Sequence, residues 1–305
     1  MKPLKLIAFT TVLVGLSITS LSAQKAKPKP AAKARPIIFA VLNDGKMVEP
    51  IAHIDKGKLV QPASGGDEPP KLALLHKAYY KPGTLYRLIF GGADAGTVAI
   101  KSADPKADCS ANMAEVTATS AKAKLKGNVM ALATNAAATK KGSGVRRLPA
   151  AAERAEIESL VRAEFVKNSV PASAARSLKY HNLTAVDVDS DGSAELIGTF
   201  WVDTSPTSRG LLFFIADKGP EGKYSFGFSE FENLKQDAVM SGEISSVDEG
   251  VLHERLLDVF DYDSDGVAEV FTYIQSFEGA GFNAFRREGG KWVKIFEGSN
   301  YHCGY

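Results

Sequence analysis

The sequence predicts a mainly β protein that consists of a small N-terminal β-sheet domain, one amphipathic linking helix and two four-stranded, blade-like β units. Three observations predict this class. Short apolar runs rich in β-branched residues alternate with turn sequences built from Gly, Asn and Asp. One segment near the middle carries apolar residues at helical spacing. Beyond it, residues 178–305 repeat themselves at an offset of 74 residues.

The first 23 residues predict a secretory signal peptide. Lys2 and Lys5 precede the apolar run Leu6 to Leu16, and small residues ending at Ala23 follow it. An uncleaved membrane anchor is the alternative, but the run is shorter than the ~20 apolar residues that a membrane-spanning helix needs. We therefore expect an exported protein, secreted, periplasmic or at the cell surface, with no transmembrane segment once the signal is removed.

Residues 24–36 alternate Lys, Pro and Ala, which favours an extended spacer. Residues 37–135 predict a β domain of unknown function, with turns such as Asn43 to Lys46 and a polar, proline-rich break at 62–71. No motif in this domain carries chemistry. Its strand candidates are Ile37–Leu42, Met47–Ile54, Lys58–Gln61, Leu85–Phe90, Thr97–Lys101, Met113–Thr119 and Val129–Thr134.

Residues 136–148, rich in Ala, Lys and Gly, predict a linker, and residues 149–169 predict a helix. Pro149 suits a first helical turn. The helix should end before Pro171, because proline disfavours helical geometry in the residue that precedes it. We expect this helix to pack against the following sheet with an apolar face made by Ile157, Leu160, Val161, Phe165 and Val166.

The internal repeat decides the interpretation of the C-terminal half. The segment that starts at Leu183 aligns with the segment that starts at Leu257. Each unit is predicted to be a strand, an acidic loop, a strand, a connection, a strand, a tight turn and a final strand. This order indicates one four-stranded unit in each repeat.

Each acidic loop has the spacing D-x-D-x-D-G-x-x-E, with no Lys or Arg inside it, so a bound cation would relieve the repulsion among its carboxylates. Ca²⁺ suits such oxygen ligands, whereas Mg²⁺ demands stricter octahedral geometry and Zn²⁺ prefers nitrogen and sulfur. We expect two Ca²⁺ sites, with backbone carbonyls of Ser193 and Val267 contributing. The predicted ligands are Asp187, Asp189, Asp191, Ser193 and Glu195, and Asp261, Asp263, Asp265, Val267 and Glu269.

The same residues allow two other interpretations. One is a polar turn whose aspartates cap backbone groups and bind nothing, although turn propensity alone does not fix one spacing twice. The other is an EF-hand, which also opens with alternating aspartates but needs a glutamate at its twelfth position, where this chain has Gly198 and Thr272. The flanking residues are strand-like, so we expect the loops to join strands rather than helices.

Both segments resemble the calcium loops of FG-GAP or VCBS repeats, the family of integrin-like β-propeller blades. The resemblance covers about residues 183–305 and implies that the acidic residues at loop positions one, three, five and nine hold Ca²⁺ between two strands. These are Asp187, Asp189, Asp191 and Glu195, and Asp261, Asp263, Asp265 and Glu269. The family more usually has Asp at the ninth position. Because a propeller needs about 4 to 8 blades, two units favour a small sheet or sandwich over a closed propeller.

The chain has two cysteines, Cys109 and Cys303. After export they would meet an oxidising compartment, in which a disulfide between them can persist and join the two halves of the chain. Two unpaired thiols are the alternative, because the sequence does not give the distance between the two Cα atoms.

Catalytic motifs are missing from the sequence. The five histidines are dispersed, and no G-x-S-x-G elbow, phosphate-binding glycine loop or dinucleotide fingerprint is present. The basic runs among the first 177 residues contain no aromatic residue on which bases could stack, so nucleic acid is not an expected partner.

These observations favour a non-catalytic calcium-binding protein that acts as a binding, adhesion or surface-structural module, with a protein or a glycan as its ligand. A secreted hydrolase, acting on carbohydrate and stabilised by Ca²⁺, is the alternative. It stays open because catalytic carboxylates can lie far apart in sequence and meet only in the fold.

Overall fold

A computed structural model describes residues 34–127, 129–137, 142 and 144–303, and 47% of the structure is strand and 16% helix. The prediction of a mainly β protein is confirmed. The predicted signal peptide and most of the predicted spacer lie outside the described residues. Within the described part, no helix has the length and apolar character needed to cross a membrane.

The N-terminal half forms a closed, antiparallel six-stranded barrel. Its order is β1-β7-β4-β5-β6-β2, and β2 pairs with β1 to close the ring, while β3 extends β2 as a hairpin. Alternate residues of β1 point to opposite faces, so Phe39 lies in the barrel interior and Ile38 on its outer surface. The strands are β1 (Ile37–Leu42), β2 (Met47–Asp55), β3 (Lys58–Val60), β4 (Leu85–Phe90), β5 (Ala93–Ser102), β6 (Ala114–Ser120) and β7 (Ala131–Thr134).

A helix, α1 (Pro69–Tyr79), adds its buried side chains to the barrel core. The sequence pattern predicted a proline-rich break at 62–71 and not this helix. Prolines are tolerated at the start of a helix, because the N–H groups that they lack would have no partner inside the helix. Two tyrosine hydroxyl groups make hydrogen bonds near the end of the helix. Tyr86 Oη donates to the carbonyl oxygen of Tyr79 over 2.6 Å, and Tyr80 Oη donates to that of Asn112 over 2.6 Å.

The first repeat is an antiparallel sheet in the order β12-β11-β10-β9-β8. Its strands are β8 (Arg146–Arg147), β9 (Lys179–Val186), β10 (Glu195–Ser205), β11 (Ser208–Lys218) and β12 (Tyr224–Lys235). The predicted linking helix is α2 (Ala151–Lys167), which is followed by the short α3 (Ala172–Ala175). Ile157, Val161 and Phe165 of α2 are fully buried against this sheet, whereas Val166, predicted on the same face, is 48% exposed.

The second repeat follows the short helix α4 (Ser245–Asp248) and is an antiparallel sheet in the order β13-β14-β15-β16. Its strands are β13 (Glu254–Phe260), β14 (Glu269–Gln275), β15 (Gly279–Glu288) and β16 (Lys291–Tyr301). Each acidic loop connects the first two strands of an antiparallel meander, β9 to β12 in the first sheet and β13 to β16 in the second.

The layers stack in the order α2, first repeat sheet, second repeat sheet, barrel. Successive residues of β10 face opposite layers: Leu196 packs in the cluster that contains α2, and Ile197 packs against the second sheet. In the second sheet, Val270 faces the first repeat and Phe271 faces the outer surface of the barrel. Both faces of the inner strands are covered, which explains the long buried runs of β10 and β11, whereas β12 and β16 are partly exposed.

Buried polar contacts around Asp258, on β13, join the second repeat to β8 and to the barrel. Arg146 Nη1 lies 2.7 Å from Asp258 Oδ2, and the Asp258 side chain is completely buried. The backbone N–H groups of Gly91 and Gly92, in the turn between β4 and β5, also donate to the Asp258 carboxylate, each over 3.1 Å. The described residues from Ala34 onward thus form one compact unit, in which the barrel shares a core with the second repeat.

Candidate metal sites in the two acidic loops

The three aspartates of each loop converge. Asp187, Asp189 and Asp191 each offer a carboxylate oxygen, and these oxygens lie within 4.8 Å of one another; Asp261, Asp263 and Asp265 do the same. In each triad the first aspartate is buried, the second is half-buried and the third is exposed. Each triad is therefore a cup of oxygen atoms that opens toward solvent.

The two loops have the same internal hydrogen bonds. Asp187 Oδ1 accepts from the N–H of Ser190 over 2.7 Å and Oδ2 from that of Gly192 over 3.2 Å. The corresponding bonds to Asp261, from Ser264 and Gly266, are also 2.7 and 3.2 Å long. Gly192 and Gly266 have φ values of 88° and 98°, a region open to glycine, which lets the chain turn the aspartates inward.

Ser193 and Val267, predicted to contribute carbonyl oxygens, lie beside the triads. Their N–H groups donate to Asp191 Oδ1 over 2.6 Å and to Asp265 Oδ1 over 2.8 Å. These bonds hold the exposed third aspartate of each loop in place.

Glu195 and Glu269 lie outside the two oxygen triads. Glu195 Oε2 accepts from the N–H of Val188 over 3.1 Å, and Glu269 Oε2 accepts from that of Tyr262 over 3.3 Å. Each glutamate thus ties the end of its loop back to the beginning, and its other oxygen binds an arginine. The glutamates are only 3% and 1% exposed.

Arginines from β15 supply positive charge to both loops. Arg286 contacts Asp263 Oδ2 at 2.6 Å and Glu269 Oε1 at 2.9 Å. Arg287 donates to Asp189 Oδ2 over 2.7 Å and to Glu195 Oε1 over 2.9 Å. Each loop lacks its own Lys or Arg, but arginines of a distant strand partly balance its negative charge without an ion.

Burial disfavours the charged form of three loop carboxyl groups, those of Glu195, Glu269 and Asp261. It raises the pKa of Glu195 to about 7 and that of Glu269 to about 8, although the arginines act in the opposite direction. Burial also raises the pKa of Asp261, against the opposing N–H groups of Ser264 and Gly266. An added positive charge close to these three carboxyl groups would favour their charged form.

The donor set fits a hard cation. Each cup contains only oxygen ligands and is open on the side of its exposed aspartate, as an ion that takes 6 to 8 oxygens and retains some water requires. The Asp triads would hold the ion directly. Glu195 and Glu269 would act behind them, by fixing the backbone and an arginine.

Two further clusters come together only in the fold. His181 and His253 have ring centroids 4.7 Å apart beside Trp201, although no paired spacing links them in sequence. A cavity of about 120 Å³ between the two repeat sheets is lined by Glu230, Glu232 and Glu254.

The two cysteines form a disulfide. Cys109, just before β6, and Cys303, just after β16, have Cα atoms 5.0 Å apart. The bond joins the barrel to the end of the second repeat. Of the two possibilities that the sequence left open, the structure therefore has the disulfide and not two unpaired thiols.

Comparisons of this chain with protein-family models, with curated proteins and with solved structures find no match.

Proposed function

We propose that this protein is an exported, non-catalytic β protein that binds two Ca²⁺ ions in its acidic loops and acts as a binding, adhesion or surface-structural module. The observation that carries this proposal is the equivalence of the two aspartate triads, which recur with the same hydrogen bonds at the same place in two successive sheets. Turn formation alone would not need three converging carboxylates in each loop.

Asp187, Asp189 and Asp191 would hold one ion, and Asp261, Asp263 and Asp265 the other. A bound Ca²⁺ supplies structural charge neutralisation, and it cross-links a loop to the two strands that the loop joins. The role is one of stability and surface shape.

The resemblance to FG-GAP or VCBS repeats supports the same proposal. Each four-stranded meander corresponds to one blade, with the ion between its first two strands. The two units pack face to face through Ile197, Phe213, Val270 and Phe285, so we propose a two-blade stack rather than a closed propeller. Its ligand would be a protein or a glycan, bound outside the cell or in the periplasm.

Thermal unfolding of the purified protein tests the ion. We expect millimolar Ca²⁺ added after chelation to raise the melting temperature more than equal Mg²⁺, since each site filled at 100 times its Kd adds about 2.7 kcal/mol to the free energy of unfolding. Asp191→Asn and Asp265→Asn should each remove part of the shift. Asp191 and Asp265 are chosen because the loop arginines contact Asp189 and Asp263, so that the substitutions leave those ion pairs in place.

Asp237→Asn is the matched control, because Asp237 is an exposed aspartate outside both loops. It should leave the Ca²⁺-dependent shift unchanged. Equal melting temperatures in chelator and in Ca²⁺ would mean that the loops are polar turns, and the proposal would fall.

One specific observation supports the hydrolase alternative. Glu230, Glu232 and Glu254 line a shared cavity outside the acidic loops, and burial raises the pKa of Glu232 and of Glu254. Carboxyl groups with shifted pKa values are typical of glycosidase acid–base pairs. However, the cavity measures about 120 Å³, whereas small-molecule sites measure about 300–1,000 Å³. We therefore rank the hydrolase second; glycan turnover abolished by Glu254→Gln in a folded protein would reverse that order.

A further inference from the structure

Two neighbouring arginines on β15 serve different repeats. Side chains of successive strand residues point to opposite faces, so Arg286 and Arg287 leave the strand in opposite directions. Arg286 contacts Asp263 and Glu269, which belong to its own repeat. Arg287 reaches Asp189 and Glu195, which belong to the other repeat. The first loop thus receives its positive charge from outside its own sheet, and the second loop does not.

Arg287 is held by three carboxylates at once. Its Nη1 lies 2.7 Å from Asp189 Oδ2, and its Nη2 lies 2.9 Å from Glu195 Oε1 and 2.5 Å from Asp217 Oδ1. The third carboxylate, Asp217 on β11, also accepts a 3.0 Å hydrogen bond from Trp292 Nε1 on β16. The Arg287 guanidinium carbon lies 5.0 Å from the centre of the Trp292 ring. Charge-assisted bonds of this kind are strong, and partial burial limits their screening by salt.

The position of Arg287 places it in competition with an ion at the first loop. Asp189 is a member of the oxygen triad and at the same time a partner of Arg287. A cation bound by the triad would draw on the same carboxylate charge and would repel the guanidinium. Since energetic coupling between two binding events is reciprocal, whatever Arg287 does to the ion, the ion does to the contacts of Arg287.

We propose that Arg287 is a built-in counter-ion that couples cation binding at the first acidic loop to the contact between the two repeats. In the ion-free protein it neutralises Asp189 and Glu195 and fastens β15 to the first sheet. Ca²⁺ at the first loop weakens that hold and leaves Asp217 as the main partner of Arg287. The second loop, whose arginine is local, has no corresponding arginine contact with the other repeat. This proposal rests on the proposed function, because it concerns regulation of the same sites.

Calcium titration of the purified protein by calorimetry tests the coupling. Asp265→Asn is introduced first, so that the titration reports on the first loop. In that background, Arg287→Gln should tighten Ca²⁺ binding about tenfold, which lies within the roughly 5- to 150-fold range typical of coupling between two sites. The same substitution should lower the melting temperature in chelator, because Glu195 then stays buried without its arginine. Arg286→Gln, the matched control, should leave the affinity of the first loop unchanged.

Asp217→Asn provides a test with the opposite sign, and it remains informative if Arg287→Gln does not fold. It removes a negative charge and leaves the guanidinium to Asp189 and Glu195, so Ca²⁺ binding at the first loop should weaken several-fold. An affinity that does not respond to Arg287→Gln or Asp217→Asn, or that responds equally to Arg286→Gln, would overturn the coupling. Absence of Ca²⁺ binding in the Asp265→Asn protein and in the unsubstituted protein would instead overturn the proposed function.

Discussion

Glu49, on β2, is a fully buried acid whose partner is a histidine near the other end of the chain. Glu49 Oε1 lies 2.7 Å from His302 Nε2. The hydrogen bond to Glu49 raises the pKa of His302 above its usual value of 6.5, against the opposing effect of burial. The pair is therefore a proton-dependent contact between the barrel and the segment that follows β16.

This contact predicts a pH-dependent stability. A histidine whose pKa is raised by folding contributes stability that is complete below its unfolded pKa of about 6.5 and is lost as pH rises through the folded pKa. His302→Gln should therefore cost the most stability at mildly acidic pH and little at alkaline pH. Urea unfolding of both proteins across that range measures the difference. A difference that stays constant with pH would show that His302 acts only by packing.

At the residue scale, the convergence of the loop aspartates is predictable from the sequence, whereas the arginines that contact them are not. The aspartates recur at alternate positions in a short segment, so their convergence follows from local geometry alone. Arg287, by contrast, lies 98 positions from Asp189, and only the packing of one sheet on the other brings them together. His302 and Glu49 are 253 positions apart, so their contact also depends on the tertiary fold and is not predictable from local sequence.

At the scale of single elements, α2 stabilises the first repeat by covering one face of its sheet. Phe165 is fully buried, and its ring centroid lies 5.9 Å from that of Phe231 on β12 in an edge-to-face arrangement. The next residue along the helix, Val166, points outward and is 48% exposed. Substitutions at these two neighbouring positions therefore compare a buried side chain with an exposed one in the same helix.

Phe165→Ala should lower the free energy of unfolding by about 3–5 kcal/mol, because it leaves a cavity between helix and sheet. Val166→Ala is the control and should change it by less than about 0.5 kcal/mol. Both values come from urea denaturation under the same conditions. Similar costs for the two substitutions would mean that α2 does not pack on the sheet as described.

Elements with strong local signals are predictable from the sequence. The prediction for β1 has the observed bounds, because its apolar residues are followed at once by the turn residues Asn43 to Gly45. The prediction for β5 began at Thr97, whereas the strand begins at Ala93. A glycine inside a strand weakens its sequence signal, and Gly96 lies so close to the backbone of Thr119 that a side chain would not fit there.

At the scale of the whole molecule, closure of the barrel is the feature that sequence patterns miss. The ring requires β1 to pair with β7 as well as with β2, and Thr134 Oγ1 on β7 donates to the carbonyl oxygen of Ile37, 97 residues away. Periodicity identifies both strands but does not state which strands pair. The shared core between barrel and second repeat is equally non-local, since it joins Ile38 and Leu132 to Phe271 and Phe282.

The disulfide adds a covalent link to this non-local packing. Cys109 and Cys303 are separated by 194 residues, so the bond closes a very long loop in the unfolded chain. Its loss should lower the free energy of unfolding by about 2–5 kcal/mol. Melting curves with and without reductant measure the effect. The double variant Cys109→Ser and Cys303→Ser should melt like the reduced protein and should not respond to reductant; equal melting of all three samples would contradict this expectation.

The same bond determines what a protease could release. Every residue from Cys109 to Cys303 lies on a covalent ring that contains α2, both acidic loops and both repeat sheets. One cut within that ring, for example in the turn between β11 and β12, would leave both pieces attached to each other. The nicked protein would keep its two repeats on one molecule until a reductant, or a second cut, set a fragment free.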